Sequence, residues 1–181
     1  MLQLDEYLGT HNSANAERFL RPMNHVGISV TDIDAAMTWY HDVLGFVVLS
    51  SPIDIIVDNS TSAGRLLGQL YGPEMKRVKM GHMTTGNGVG LEFFQFVEPP
   101  TQRYNVTGVP NQQFDYTRAG FFHICVTDPV PENLVEKIVE TGGKRISPVV
   151  NIFTDEIYQA VYCLDPFGNL VEVMSASYEQ T

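Results

Sequence analysis

Cationic residues are few in this chain: 11 Lys and Arg stand against 21 Asp and Glu, for a net charge of -10. Phosphate backbones are held by clustered Lys and Arg, so this deficit argues against a nucleic-acid partner. The densest basic group, Lys76, Arg77 and Lys79, is short and reads as a solvated strand edge. Cysteine is scarcer still, with Cys125 and Cys163 alone. A secreted chain of this size tends to carry several paired cysteines, so these two read as reduced core thiols in a cytoplasmic protein. The N-terminal stretch has neither the basic start nor the apolar run of a signal peptide, and nothing approaches the length of a membrane span. A serine nucleophile elbow, a phosphate-binding glycine loop and a CxxC redox pair are also missing.

What is present is an ordinary globular composition, 44% hydrophobic and 18% charged over 181 residues. That suffices for one sizeable domain or two small modules sharing a core. Residues 1–22 read as a polar arm. From Met23 the pattern changes: NHVGISV is strand-like. Thr31 or Asp32 then offers an N-cap, Ile33, Ala36, Met37, Tyr40 and Leu44 follow at helical spacing, and Gly45 stands where a C-cap glycine belongs. Trp39 and Tyr40 are assigned to helix packing. A strand from Phe46 to about Val57, a helical insert over Arg65 to Tyr71, a strand from Lys76 to Thr84 and the strand VGLEFFQFV complete a first module over 23–98. The turn TTGNG joins the last two strands.

Residues 99–119, rich in Pro, Asn and Gln, form a linker or loop. The order then repeats over 120–176, before a short tail at 177–181. GFFHICV is a strand, and PENLVEKIVETGG is a helix with Leu134, Val135, Ile138 and Val139 inward. KRISPVV, YQAVYCLD and NLVEVMSA are strands. His25 lies 20 residues before Gly45, and His123 lies 19 before Gly142. The chain therefore reads as an α+β protein in which a β-α-β-β-β order occurs twice, and a duplication of this size outranks any single motif.

The candidate chemistry follows from that duplication. His25 opens the first strand of one half and Glu92 lies in its last; His123 and Glu172 hold the corresponding strands of the other. Alternate residues of a strand share a face, so Glu92 sides with Phe94 and Phe96, His123 with Cys125, and Glu172 with Met174. A carboxylate among LEFF or LVEVM is costly unless its charge is compensated. Singly, each Glu is more often a strand-edge residue in water, and each His a satisfied core residue. Matched placement of all four across a repeat is a stronger signal, because curled sheets bring the four together in one cavity. Two imidazoles and two carboxylates suit Zn²⁺, Ni²⁺, Co²⁺, Mn²⁺ or Fe²⁺, and the set lacks the cysteines of structural zinc. Four protein ligands leave an octahedral ion two neighbouring positions for a substrate with adjacent oxygens. The ion then serves as a Lewis acid, with Glu172 or Glu92 as the base.

HVGISVTDIDAAMTWYHDVLGF resembles the opening signature of the vicinal oxygen chelate (glyoxalase and bleomycin-resistance) superfamily. LEFFQF, FFHICVTD and DPFGNLVEVM resemble its other three ligand strands, so the likeness covers about residues 23–176. It implies paired βαβββ modules forming a cupped mixed sheet around the metal. It also implies His25, Glu92, His123 and Glu172 as ligands of one divalent ion per chain, with Zn, Ni or Co ahead of Mn or Fe. A His, Glu, His, Glu set is similar to that of glyoxalase I and methylmalonyl-CoA epimerase-like proteins, whereas extradiol dioxygenases and fosfomycin-resistance enzymes typically use two His and one Glu. The implied activity is an isomerase, epimerase or lyase acting through an enolate on a small oxygen-chelating substrate, with Glu172 and Glu92 catalytic. An Fe(II)-dependent dioxygenase and a non-catalytic ligand-binding or resistance protein are the alternatives. A curled sheet with open edges, in a family that commonly dimerises, leads to the expectation of a homodimer.

Among the remaining residues, Asp54 and Asp58 read as a solvated loop pair. His82 is open between the cavity and an exposed edge, and His41 suits a helix C-terminus. Tyr104, Phe114 and Tyr116 are candidates for a lid over the cup.

Overall fold

The computed structural model describes residues 21–102, 119–152 and 158–180; the arm at 1–20 and the three lid candidates lie outside them. The first half runs β1 (His25–Ser29), α1 (Ile33–Leu44), β2 (Val47–Ile56), α2 (Ser62–Tyr71), β3 (Arg77–Thr84) and β4 (Gly90–Glu98). The second runs β5 (His123–Thr127), α3 (Pro131–Glu140), β6 (Lys144–Arg145), β7 (Val150–Ile152), β8 (Tyr158–Leu164) and β9 (Leu170–Met174). The architecture is α+β, with mixed sheets backed by helices.

Local chemistry sets the helix ends. The Asp32 side chain accepts a hydrogen bond from the Ala35 N–H at 3.0 Å, capping α1. At the other end Gly45, at φ 73°, donates its N–H to the carbonyls of His41 and Tyr40, a left-handed turn that glycine takes without a Cβ penalty. The second helix starts from Thr61, whose hydroxyl accepts from Gly64 N–H at 2.9 Å. Helix α3 instead begins with Pro131 in its first turn, where the missing N–H costs nothing. Val135 and Ile138 are fully buried and Leu134 is half-buried. Val139 departs from the expected inner face, with 44% of its surface exposed, because it lies past the narrow stripe that α3 turns to the core.

Each half builds its own sheet. The first has order β1-β4-β3-β2, and the second β5-β9-β8-β6 with β7 also on β8. The parallel pairs are β1 with β4 and β5 with β9; the others are antiparallel. The expected strand KRISPVV is two short strands, because the chain bulges between them. Ile146 and Ser147 both donate to the Tyr162 carbonyl, and Pro148 has no N–H to contribute to a ladder.

The paired βαβββ modules expected from the sequence are present as two mixed sheets, of four and five strands. Backbone pairing ends at the edge strands β1 and β5, and side chains do the joining. One hydrophobic core takes Ile33, Met37, Tyr40 and Phe93 from the first half and Val135, Ile138, Val161 and Val173 from the second. The Trp39 indole donates to Thr141 Oγ1 at 2.9 Å, and the Tyr40 hydroxyl donates to Asp165 Oδ2 at 2.8 Å. Both residues serve the helix packing assigned to them.

Asp165 is 3% exposed, and burial pushes its pKa up although Phe167 N–H, Asn169 N–H and the Asn169 side chain also donate to it. Such a carboxyl tolerates the loss of a donor poorly. Tyr40→Phe is therefore expected to lower stability by about 1–3 kcal/mol, read as an earlier midpoint in urea unfolding with an unchanged slope. An unchanged midpoint refutes this role for the bond.

Candidate functional site

Strand alternation divides the residues of the two sheets. Phe93, Leu91 and Met83 face the core, which puts Glu92, Phe94 and Phe96 on the other face. The Phe94 and Phe96 rings lie 5.9 Å apart with planes 12° from parallel, and Tyr71 at the end of α2 meets Phe96 edge-on at 5.3 Å. Burial, and then the charge of Glu92, push the Tyr71 phenol pKa up. In the second sheet Val171 and Val173 are in the core, with Ile124 and Val126 packed against it. His123, Cys125 and Glu172 therefore share the opposite face.

The four expected ligands form two pairs. His25 Nε2 stands 3.5 Å from Glu92 Oε2, and His123 Nε2 stands 3.2 Å from Glu172 Oε2. Among the described residues, no three His, Cys, Asp or Glu side chains form one metal cluster, so the structure brings the ligands together two by two, one pair on each sheet.

The strand registers extend each pair in matching ways. Glu92 lies opposite Gly27 on β1 and His82 on β3; Glu172 lies opposite Cys125 on β5 and Tyr162 on β8. His25 and His123 are 98 residues apart, as are Gly27 and Cys125, while His82 and Tyr162 are 80 apart, as are Glu92 and Glu172. The duplication is therefore visible in the site itself. His82 Nε2 is 3.2 Å from Glu92 Oε1, and Ser50 Oγ is 2.7 Å from His82 Nδ1.

Cys125 is surface-accessible, which corrects its assignment to the core; Cys163 alone is a buried thiol. Alternation on a short strand puts Cys125 beside His123, on the polar face. Packing around its sulfur, and then Glu172, push the Cys125 pKa up to about 12. Tyr162 is also pushed up to about 12, first by burial and then by its hydrogen bond to Glu172. Both groups are therefore neutral near pH 7, on the strands either side of Glu172; the Cys125 thiol itself donates to the Val126 carbonyl.

The donor chemistry fits a divalent cation. His25 Nδ1 is 2.6 Å from Asn24 Oδ1, so that nitrogen donates and Nε2 is the ring nitrogen that faces a carboxylate oxygen. A ring nitrogen and a carboxylate oxygen this close need a proton or a cation between them. Donors held roughly 2.0–2.2 Å from one ion lie about 3 Å apart, near the two separations found here. A ligand histidine that donates its other ring nitrogen to a carbonyl is the usual way such a ring is oriented. His123 Nδ1 is buried and has no hydrogen-bond partner among the described residues.

The other residues weighed from the sequence fall elsewhere. Asp54 forms an ion pair with Arg77 across β2 and β3, and Asp58 accepts from Ser60 in the turn before α2. His41 Nδ1 lies 2.8 Å from the Phe46 carbonyl at the end of α1. Ser50, Cys125 and Tyr162 were not singled out by sequence reasoning as site residues. The signals that find them are the 80-residue offset, which pairs Tyr162 with His82, and the two-residue alternation from His123 to Cys125.

With mixed helix-backed sheets and an imidazole-paired carboxylate on each, the chain has the architecture of a glyoxalase-type fold. A family model described as the Glyoxalase/Bleomycin resistance protein/Dioxygenase superfamily matches residues 23–173, and the chain belongs to that superfamily. Similar solved structures include a glyoxalase family protein from Bacillus cereus, at 21% identity and a TM-score of 0.67, over 89% of this chain and 97% of that one. A glyoxalase/dioxygenase from Nostoc punctiforme aligns at 22% identity and a TM-score of 0.55, over 90% and 96%. Glyoxalase I from Zea mays aligns at 16% identity and a TM-score of 0.56, over 86% of this chain but 44% of its own length. No curated protein sequence matches the chain. Among the described residues, no helix is long and apolar enough to cross a membrane.

Proposed function

We propose that this protein is a divalent-metal-dependent isomerase, epimerase or lyase that removes a proton next to a carbonyl of a small substrate bearing two adjacent oxygens. The observation that carries the reading is the repeated pair, an imidazole Nε2 against a carboxylate oxygen, on equivalent strands of the two halves. His25, Glu92, His123 and Glu172 are the proposed ligands of one ion per chain, with Zn, Ni or Co favoured over Mn or Fe by the nitrogen and oxygen donors. A bound ion supplies Lewis-acid polarisation of the substrate oxygens.

The remaining chemistry belongs to the chain. Glu172, 14% exposed, accepts the proton from the substrate carbon. Tyr162 and Cys125, both neutral, flank it on the neighbouring strands. Glu92 is the second candidate base, on the opposite half. Phe94 and Phe96 stack on the face that carries Glu92. A homodimer belongs to the same proposal: the edge strand β2 exposes Val47, Leu49, Ile53 and Ile56, apolar surface on an unpaired edge that a second copy can cover. The two cysteines, both unpaired, accord with a cytoplasmic setting.

The test is wash-in of deuterium from D₂O at the carbon next to the carbonyl, across a panel of α-hydroxyketones, 2-oxoacids and β-oxo thioesters. The zinc- or nickel-loaded protein is expected to exchange at least one of them. Glu172→Gln is expected to reduce that exchange by about 100-fold or more, from the lower end of the range for a general base upward. Wild-type exchange in the variant removes Glu172 from the role. Oxygen uptake with catechols, seen with Fe²⁺ and absent with Zn²⁺, points instead to the dioxygenase reading. Ligand affinity unaffected by complete metal removal points to a binding protein.

A further inference from the structure

His82 was open between two fates in the sequence, and the structure places it against a proposed ligand. It adjoins Glu92 as His25 does, yet the hydrogen-bond partners set the two rings in opposite states. Asn24 Oδ1 accepts a hydrogen bond from the Nδ1–H of His25, so Nε2 is the His25 nitrogen left to face the site. On His82, Nε2 meets the acceptor Glu92 Oε1 at 3.2 Å and must carry the hydrogen. Its Nδ1 is then the acceptor for the Ser50 hydroxyl at 2.7 Å.

We propose that His82, held by Ser50, is a positioning residue for Glu92: its Nε2–H fixes Oε1 and so turns Oε2 toward His25 and the metal. The proposal rests on the metal-site reading above. The arrangement runs across three neighbouring strands, with Ser50 opposite His82 on β2 and β3, and His82 opposite Glu92 on β3 and β4. Because each link is a direct cross-strand neighbour, the backbone ladder sets the three side chains in line. The second half has no such chain among the described residues. There Tyr162 stands in the place of His82, a phenol whose single oxygen cannot donate to the carboxylate while accepting through a second ring atom. Glu92 is therefore the carboxylate with a two-residue support behind it. Such outer partners orient a ligand and raise its effective affinity, and their loss typically costs 10–100-fold in metal binding.

The experiment is a Co²⁺ titration with a competing chelator, followed by the visible spectrum of the loaded protein, with thermal melting of the metal-free forms alongside. His82→Ala is expected to weaken Co²⁺ binding by about 10–100-fold, with the band intensities that report coordination number retained and the metal-free melting point little changed. His82→Gln, whose amide N–H can replace the ring N–H, is expected to recover most of that loss. Ser50→Ala is expected to fall between wild type and His82→Ala. His25→Ala, the ligand control, is expected to lose more affinity and to change the spectrum. Three results overturn the proposal: no change in His82→Ala, no recovery in His82→Gln, or a His82→Ala spectrum altered like that of His25→Ala, which makes His82 a ligand. Failure of the wild-type protein to bind Co²⁺ overturns the metal-site reading itself and this proposal with it.

Discussion

A His123→Ala variant, purified and reconstituted beside the wild-type protein, is expected to lose its divalent ion. Wild type is expected to retain about one ion per chain after gel filtration, on the octahedral or tetrahedral chemistry of a nitrogen and oxygen site. The variant is expected to bind more than about 100-fold more weakly, since loss of even an outer partner of a ligand costs 10–100-fold. His123 is the informative choice. Its Nε2 faces Glu172 at 3.2 Å, and its Nδ1 is buried without a partner among the described residues. Elemental analysis of both proteins reads the outcome directly. Equal metal content in the two removes His123 from the ligand set, and zinc, nickel or cobalt in place of iron favours proton chemistry over oxygen chemistry.

The second large effect concerns the turn that returns α3 to its sheet. Gly143→Ala is expected to destabilise the protein by about 3 kcal/mol, the upper end of the usual cost of overpacking. A Cβ at this position would lie 2.5 Å from Ile138 Cγ2, 2.6 Å from the Leu164 carbonyl oxygen and 2.8 Å from the Ile138 carbonyl oxygen. Two of the three neighbours are backbone. The Gly143 N–H also donates to that Ile138 carbonyl at 2.8 Å, so moving aside gives up a hydrogen bond. Gly86→Ala is the control, because nothing lies within 4 Å of a Cβ there. Chemical denaturation of both variants measures the difference; equal midpoints mean that the turn relaxes freely.

The sequence-based and structural descriptions part at informative places. Periodicity and caps locate α1 closely, since Asp32, the buried positions Ile33, Ala36, Met37 and Tyr40, and Gly45 are all local features. Alternation likewise places Glu92 with Phe94 and Phe96, because a strand has only two faces. The strand expected over KRISPVV fails for a non-local reason: its interruption depends on how Ile146 and Ser147 meet the Tyr162 carbonyl. Cys125 was assigned to the core because HICV is apolar in composition. Its face is decided by which neighbours the core claims, and these are Ile124 and Val126.

By itself, then, the amino-acid order determined the repeat, its α+β element sequence, and the equivalence of His25 with His123 and of Glu92 with Glu172. Those follow from spacings of two, of three to four, and of one long internal period, all readable along a line. Only the tertiary structure decided that the halves join through helices and a shared core, with the buried Tyr40–Asp165 bond crossing between them. It alone set Ser50 and His82 behind Glu92, and Tyr162 and Cys125 beside Glu172. Strand register, which brings residues 10 or 32 positions apart within hydrogen-bond reach, depends on the packing of whole sheets and leaves no local mark in the chain.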